Sequence, residues 1–212
     1  MTRKTNRTLV ITTLLCLLPI IPGLIVYPDL PDQIAIHWNT AGEADNFTSK
    51  AIAVWGLPLL MAAIHLFTIF MINNDPKKEN TAKALKQLII WLIPIMTLII
   101  VPITLFKALG YDIRIESIAP ILVGLIFIIC GNYMPKSKQN FTVGIKLPWT
   151  LTSEENWNKT HRLAGYLWII GGLGMILTGF INFAQILIMI ILVVIIVIIP
   201  TVYSFVLYKK GI

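Results

Sequence analysis

Six long apolar runs occupy most of this 212-residue chain and constrain its fold more than any other feature. The runs cover residues 8–26, 51–72, 88–106, 118–134, 163–181 and 184–208. A helix rises about 1.5 Å per residue, so about 17–25 apolar residues cross a hydrocarbon slab roughly 30 Å thick. Lipid offers the backbone no hydrogen-bond partners, so each run must satisfy its own backbone as a helix. The sequence therefore predicts an all-α polytopic integral membrane protein with six transmembrane helices.

The composition of the chain excludes a water-soluble globule. Hydrophobic residues make up 57% of the chain and charged residues 13%, whereas soluble domains average about 25% charged residues. The apolar runs leave no stretch long enough for a separate soluble domain. The protein therefore acts within a membrane or at its two faces.

The basic residues fall almost entirely on one side of the predicted membrane. With the N-terminus inside, the outer segments hold only Lys50, Lys107 and Arg114, and the inner segments hold the remaining 14 of the 17 lysines and arginines. This asymmetry follows the positive-inside rule and predicts cytoplasmic N and C termini. The net charge of +7 is therefore explained mainly by membrane topology, and attraction to anionic headgroups is its second use. We expect the lipid bilayer as a partner and no direct contact with nucleic acid.

Two connections are longer and more patterned than a turn between helices requires. Residues 27–50 form an outer loop, and residues 135–162 form an inner loop. They divide the chain into residues 1–72, with the first two helices and the outer loop, and residues 73–212, with four further helices and the inner loop.

The outer loop is acidic and carries a tryptophan. Its charged residues are Asp29, Asp32, Glu43, Asp45 and Lys50. Ile34, Ile36 and Trp38 alternate with other residues, which predicts a short extended segment, and residues 39–42 are typical of a turn. Such a loop would attract a cationic amphipathic peptide and hold its apolar part.

The inner loop combines basic groups, two tryptophans and the start of a helix. Thr152 and Glu155 have the spacing of a capping box, which predicts a helix from residue 153 into the fifth run, with Glu155 paired to Lys159. We expect Trp149 and Trp157 to be exposed, where they suit either a docking surface for a cytosolic protein or an anchor at the membrane interface. Both interpretations stay open.

Few side chains suggest chemistry. His65 is the one ionisable group well inside a run, and a hydrogen bond to a neighbouring helix accounts for it. His37 and His161 lie on opposite sides and lack the spacing of metal ligands. Glu154, Glu155 and His161 would form the basis of a membrane hydrolase, but capping and the pair with Lys159 account for Glu155. We expect no enzyme, no cofactor and no metal, and free thiols at both cysteines.

The two loops resemble the SdpI-type family, the membrane immunity proteins against the sporulation-delaying-protein toxin of Gram-positive bacteria. The outer motif is LPDQIAIHWN at residues 30–39, followed by GEAD at 42–45 and Lys50, and it is similar to the family's N-terminal domain of unknown function. The inner motif comprises GNYMP at residues 131–135, Asn140, GIKLPWTL at 144–151, Trp157 and residues 160–162. The family pattern has Arg and Thr where this chain has Lys146 and Leu147.

The resemblance implies a multi-pass plasma-membrane protein that gives resistance to an extracellular membrane-active peptide toxin and sequesters a cytosolic repressor. The candidate binding residues of the outer loop are Asp29, Asp32, His37, Trp38, Asn39, Gly42 and Asp45. Those of the inner loop are Asn132, Pro135, Asn140, Gly144, Lys146, Pro148, Trp149, Thr150, Trp157, Thr160, His161 and Arg162. The alternative is a small membrane transporter or exporter, against which stand the lack of paired charges within the runs and of inverted repeats.

Overall fold

The computed structural model describes residues 3–39, 42–181 and 184–212, most of which are helical. Helices α1 to α8 run Arg3–Leu17, Ile20–Ile25, Leu57–Asn73, Lys83–Ala108, Ile115–Tyr133, Pro148–Thr152, Glu154–Thr178 and Gln185–Lys209. Strands β1 and β2 run Gln33–Trp38 and Ala44–Ser49. Short 3-10 helices lie at Tyr27–Asp29, Lys78–Asn80 and Met134–Lys136, and a π-helical turn, Ile52–Gly56, leads into α3.

Among the described residues, five helical stretches are long and apolar enough to cross a membrane. They are Arg7–Ile25, Ile52–Asn73, Lys83–Ala108, Ile115–Lys136 and Gln185–Lys209. The predicted all-α polytopic membrane protein is therefore confirmed. Helix α7, which contains most of the fifth predicted run, is not one of these five stretches. Its first turns are polar, and four glycines lower the hydropathy of residues 163–178. A sixth crossing, by α7, stays a prediction.

One compact unit contains residues 1–73 and 86–114. Within it α1 packs against α3, and Thr12 Oγ1 lies 2.9 Å from Nε2 of His65, with both side chains fully buried. The Thr12 hydroxyl donates to the Thr8 carbonyl at 2.9 Å, so the imidazole N–H is the donor in the bond between the helices. His65 therefore makes the kind of interhelical hydrogen bond that the sequence suggested.

The other compact unit contains residues 74–85 and 115–212, and glycines bring its helices α5 and α7 into backbone contact. A Cβ added at Gly172 would lie 2.6 Å from the carbonyl oxygen of Gly124, and one at Gly165 would lie 2.8 Å from that of Gly131. Glycine permits this approach because it has no side chain to hold the two helix backbones apart. Helix α8 packs on α7 with few buried residues, as expected for a lipid-facing helix.

The predicted capping box at Thr152 and Glu155 is wrong. Pro148 starts the short helix α6, and the Thr152 hydroxyl donates back to the Pro148 carbonyl at 3.1 Å. The N-cap of α7 is instead the extended residue Ser153, whose Oγ accepts the backbone N–H of Asn156 at 3.2 Å. Glu155 pairs with Lys159 at 2.7 Å, as predicted.

The compact units place most of α4 with the first three helices and residues 74–85 with the C-terminal helices. The division at residue 72 followed the two motif loops and stays a prediction. The first predicted run also consists of two helices, α1 and α2, because Pro19 and Pro22 lack the amide hydrogens that a continuous helix needs.

Candidate functional site

The outer loop folds into a two-stranded antiparallel hairpin. Strand β1 confirms the extended segment predicted from Ile34, Ile36 and Trp38, and it pairs with β2 in a register that joins Gln33 to Ser49. The register is irregular around His37, so the alternation of faces seen in the sequence does not continue to the tip. Of the predicted turn, residues 40 and 41 lie outside the described residues.

The hairpin is fixed to the helices below it by a small apolar core. Leu30 and Ile34 are buried in a cluster with Ala53 and Val54, next to the start of α3, and with Val101 and Leu105 of α4. These contacts hold the hairpin at one end of its compact unit. Its acidic side chains therefore belong to an anchored hairpin rather than to a free loop.

The candidate acidic residues of the hairpin are exposed and take part in short-range polar pairs. The His37 ring Nδ1 lies 2.6 Å from Asp45 Oδ1, and Asp32 pairs with Lys50 at 3.1 Å. Asn39 accepts the backbone N–H of Glu43 at 3.0 Å, and Gly42 has a φ of +79°, which closes the tip at a position suited to glycine. Asp29 is exposed before β1. Trp38 is half-buried.

The inner loop is a compact structure held by buried polar side chains. Asn140 Oδ1 accepts the backbone N–H groups of Thr142 and Val143 at 3.0 and 2.6 Å. Asp75, from the loop after α3, accepts the Phe141 N–H at 2.9 Å and the Thr142 hydroxyl at 2.5 Å. Burial raises the pKa of Asp75, but these hydrogen bonds outweigh burial and hold its pKa below the ordinary value.

Thr150 and Gln139 connect successive parts of the inner loop. The Thr150 hydroxyl accepts the Leu147 N–H at 2.8 Å and donates to the Ile145 carbonyl at 2.8 Å. Gln139 donates to the Thr150 carbonyl at 2.8 Å and accepts a hydrogen bond from the ammonium of Lys77. Each of these bonds satisfies a buried polar group that would otherwise cost free energy.

Trp157 and His161 fasten the loop to α7. Their rings stack with centroids 3.9 Å apart, and Trp157 Nε1 donates to the Ser137 carbonyl at 2.7 Å. His161 Nε2 accepts the Ile145 N–H at 2.9 Å, so Nδ1 carries the proton and donates to the Trp157 carbonyl at 2.8 Å. Gly144 has a φ of +118°, and a Cβ there would lie 2.9 Å from the Trp157 ring. Only glycine fits this position.

The His161 ring is unsuited to acid–base catalysis as it stands. The ring is fully buried and both nitrogens have partners. Burial lowers the pKa of His161 to about 4, although the Trp157 carbonyl acts in the opposite direction. Among the described residues, no three histidine, cysteine or acidic side chains are grouped as a metal site would require. The geometry gives the hydrolase alternative no support.

The expectation that both tryptophans of the inner loop are exposed is wrong for Trp157, which has no exposed surface. Asn140, Thr150, Thr160 and His161 are buried with it. Trp149 is half-buried and packs against Phe205 and Tyr208 at the end of α8. The candidate residues that face outward are Asn132, Pro135, Lys146, Pro148 and Arg162. These five side chains are the most exposed of the inner-loop candidates.

Sequence reasoning missed several residues that build the inner loop. Asp75 and Asn80 lie far away in the chain, and Asn80 donates to the Gln139 carbonyl at 2.7 Å. Asn156 donates to the Ser204 carbonyl at 3.0 Å, and its Oδ1 accepts the Ser204 hydroxyl at 2.7 Å. A buried polar residue in a loop gives no periodic pattern, so nothing in the sequence marked these contacts.

The apolar helices, the acidic hairpin and the folded inner loop together define a multi-pass membrane protein with one structured element in each motif loop. Comparison with known proteins assigns it to a family. The SdpI/YfhL protein family matches residues 136–204, and a domain of unknown function, DUF1648, matches residues 14–62. Immunity protein SdpI of Bacillus subtilis (strain 168) is 32% identical over 202 residues, which cover 95% of this chain and 96% of that protein.

The chain therefore belongs to the SdpI family, and it is a multi-pass protein of the plasma membrane. The two family matches cover the outer hairpin and most of the inner loop. This is not an enzyme family. No solved structure matches the chain.

Proposed function

We propose that this protein is a membrane immunity protein that protects its cell against an extracellular membrane-active peptide toxin. The observation that carries the proposal is the 32% identity to an immunity protein along nearly the whole chain. A match of this extent includes both motif loops and the helices between them, rather than one shared segment.

The outer hairpin is the proposed recognition element for the toxin. Its acidic groups are exposed, and the buried pair Leu30 and Ile34 fixes their positions. Phe47 and Ile36 are exposed large apolar residues on the same hairpin. Acidic groups beside apolar surface complement a peptide that is both cationic and amphipathic, and fixed positions lower the entropy cost of binding.

The inner loop is the proposed docking surface for a cytosolic repressor. Since Trp157 is buried, docking would use the exposed residues Lys146, Pro148 and Arg162, while the buried network keeps them in place. Helix α7 continues from this loop into the proposed fifth span, so a shift of that span would move the loop. Such coupling requires two arrangements of the helices.

These roles depend on six crossings with both termini in the cytoplasm. We propose this topology on the distribution of the basic residues. Labelling from outside intact cells tests it, in a background with Cys16→Ser and Cys130→Ser. A membrane-impermeant thiol reagent should modify Glu43→Cys and spare Lys146→Cys, since both positions are exposed on the protein and the proposed topology puts them on opposite sides of the membrane. Labelling of the second position alone would reverse the assignment of the two loops.

Survival assays test immunity directly. The gene is expressed in a toxin-sensitive strain that lacks its own immunity protein, and the cells are challenged with the sporulation-delaying-protein toxin. We expect growth to be restored, and we expect Asp45→Asn combined with Trp38→Ala to lose protection at unchanged membrane levels. Absence of protection by the wild-type protein, at membrane levels equal to those of a protective relative, would contradict the proposal for this toxin.

A further inference from the structure

A cleft of about 600 Å³ lies in the C-terminal compact unit, beside the first turn of α7. Its walls come from the 3-10 helix that ends at Asn80, from the segment after α5, and from α7 itself. The lining residues are Asn80, Pro135, Lys136, Ser137, Lys138, Gln139, Glu154 and Asn158. This volume is within the roughly 300–1,000 Å³ of small-molecule sites. The docking residues proposed above, Lys146, Pro148 and Arg162, do not line the cleft.

The walls of the cleft are held in place by hydrogen bonds. Asn80 donates to the Gln139 carbonyl at 2.7 Å, and Gln139 is itself bound to Thr150 and Lys77. The Ser137 carbonyl accepts the Trp157 indole N–H at 2.7 Å. The cleft therefore belongs to the folded network of the inner loop and does not depend on a loose surface segment.

The charges around the cleft favour an anion. Lys136 and Lys138 contribute two positive charges, against the single carboxylate of Glu154. Glu154 also begins the 25-residue helix α7, whose dipole places partial positive charge at this end. The amide side chain of Asn158 adds a group that can donate hydrogen bonds to oxygen, whereas those of Asn80 and Gln139 already donate within the walls.

The cleft lies beside the end of a candidate membrane span. Lys136 is the last residue of the candidate span Ile115–Lys136, and a helix that crosses the bilayer over this span would leave the hydrocarbon beside the cleft. The Lys136 ammonium lies 5.2 Å from the centroid of the Tyr133 ring. Tyrosine and lysine side chains in this arrangement are typical of the membrane interface.

Ser137 supplies an observation that is independent of charge. The residue is only 3% exposed, and within the described structure its hydroxyl has no hydrogen-bond partner. An unpartnered buried hydroxyl costs free energy, and a ligand in the cleft that this residue lines would supply the missing partner. Phosphate oxygens accept hydrogen bonds strongly and carry the negative charge that the two lysines favour.

We propose that this cleft binds a phosphate group, held by Lys136, Lys138 and the Ser137 hydroxyl. Its position at the end of a span makes the headgroup of an anionic phospholipid one source, and a soluble phosphate ester the other. Binding there would stabilise the inner loop through the contact between Ser137 and Trp157. This role is separate from toxin recognition at the hairpin.

Thermal unfolding of the purified full-length protein tests the proposal. Phosphatidylglycerol and, separately, glycerol 3-phosphate are titrated against the detergent-solubilised protein, with phosphatidylcholine as the lipid control. Lys136→Gln with Lys138→Gln should weaken binding of the effective ligand by at least about tenfold, the loss expected when charge-assisted hydrogen bonds are removed. The matched control is Lys78→Gln with Lys83→Gln, which removes the same charge from exposed lysines that do not line the cleft. The control should bind as the wild type does.

The Ser137→Ala variant distinguishes specific binding in the cleft from nonspecific attraction to surface charge. Without ligand, this variant should be at least as stable as the wild type, because it removes an unpartnered buried hydroxyl. With ligand, its affinity should fall about threefold or more, as for the loss of one hydrogen bond. Tight binding of phosphatidylglycerol alone would identify the source as lipid, and competition by glycerol 3-phosphate would identify a soluble ester. Equal loss in both double-lysine variants, unchanged affinity in Ser137→Ala, or binding of neither ligand would overturn the proposal.

Discussion

The outer hairpin and the inner loop are both rich in polar residues, yet they place those residues in opposite ways. In the hairpin the acids are exposed and the anchoring residues Leu30 and Ile34 are apolar. In the inner loop Asn140 and Thr150 are fully buried and hold the backbone. An exposed acid contributes little to folding and is free to meet a ligand, whereas a buried amide contributes to folding and is covered.

This difference changes how each motif is tested. A substitution in the hairpin should affect binding before it affects stability. A substitution in the buried part of the inner loop should affect stability first, and should reduce every function together. Four predictions, in order of expected size, test this contrast.

The largest effect is expected for Trp157→Ala. The ring is fully buried, stacks on His161 and donates a hydrogen bond to Ser137. Its removal should lower the free energy of unfolding by about 3–5 kcal/mol, measured by thermal unfolding in detergent. The control is Phe47→Ala in the hairpin, where the exposed ring should contribute within about 0.5 kcal/mol. Similar melting curves for the two variants would contradict the contrast between the motifs.

The next effect concerns the helices that carry the inner loop. An alanine Cβ at Gly172 would lie 2.6 Å from the Gly124 carbonyl oxygen, so Gly172→Ala must push α5 and α7 apart. We expect a loss of about 1–3 kcal/mol in thermal unfolding. Gly174→Ala is the matched control on the same helix, because the atoms nearest to its Cβ belong to the flexible Leu192 side chain, at 3.0 Å or more. If Gly172→Ala melts like this control, the backbone contact is not tight.

The third prediction is a dependence on pH from His161. Folding lowers the pKa of His161 from about 6.5 to about 4, because burial disfavours the charged ring and outweighs the opposite effect of the Trp157 carbonyl. The contribution of this residue is therefore complete above about pH 6.5 and is lost as the pH falls towards 4, by at most about 1.4 kcal/mol per pH unit. Asp75, whose pKa is lowered by folding, contributes only to losses at still lower pH.

Unfolding of the wild type and of His161→Gln between pH 7 and pH 4 measures this effect. The variant should start from lower stability and should show a smaller change with pH across that interval. An equal change in both proteins would assign the pH dependence to other groups.

The smallest effect on stability is expected in the hairpin. Asp45→Asn with Glu43→Gln should leave thermal unfolding within about 0.5 kcal/mol, because both side chains are exposed. Protection against a cationic toxin should fall by about tenfold at low salt, with a smaller difference at high salt, because screening shortens electrostatic steering. Glu79→Gln, an exposed acid outside the hairpin, is the control and should protect normally. Full protection by the double variant at low salt would show that these two acids are not needed to recognise the toxin.

The sequence by itself determined the class of the protein, the position of its helices and the two motif loops. The length of an apolar run predicts membrane insertion directly, because the thickness of the bilayer sets the length of a span. Local spacing was equally direct for the pair Glu155 and Lys159 and for strand β1. These features depend on residues close together in the chain, or on the solvent, and no knowledge of the fold is needed to predict them.

Only the tertiary structure decided which residues of the motifs are exposed. Trp157 is covered because Ser137, twenty residues earlier, returns to accept its N–H, and Asp75 reaches Phe141 across 66 positions. The cap at Ser153 likewise depends on a short helix that Pro148 begins. A buried polar side chain is stabilised by a partner that the fold brings to it, and its own residue type does not say which partner that is. For this reason the motifs could be located from the sequence, whereas the split between binding surface and internal support required the structure.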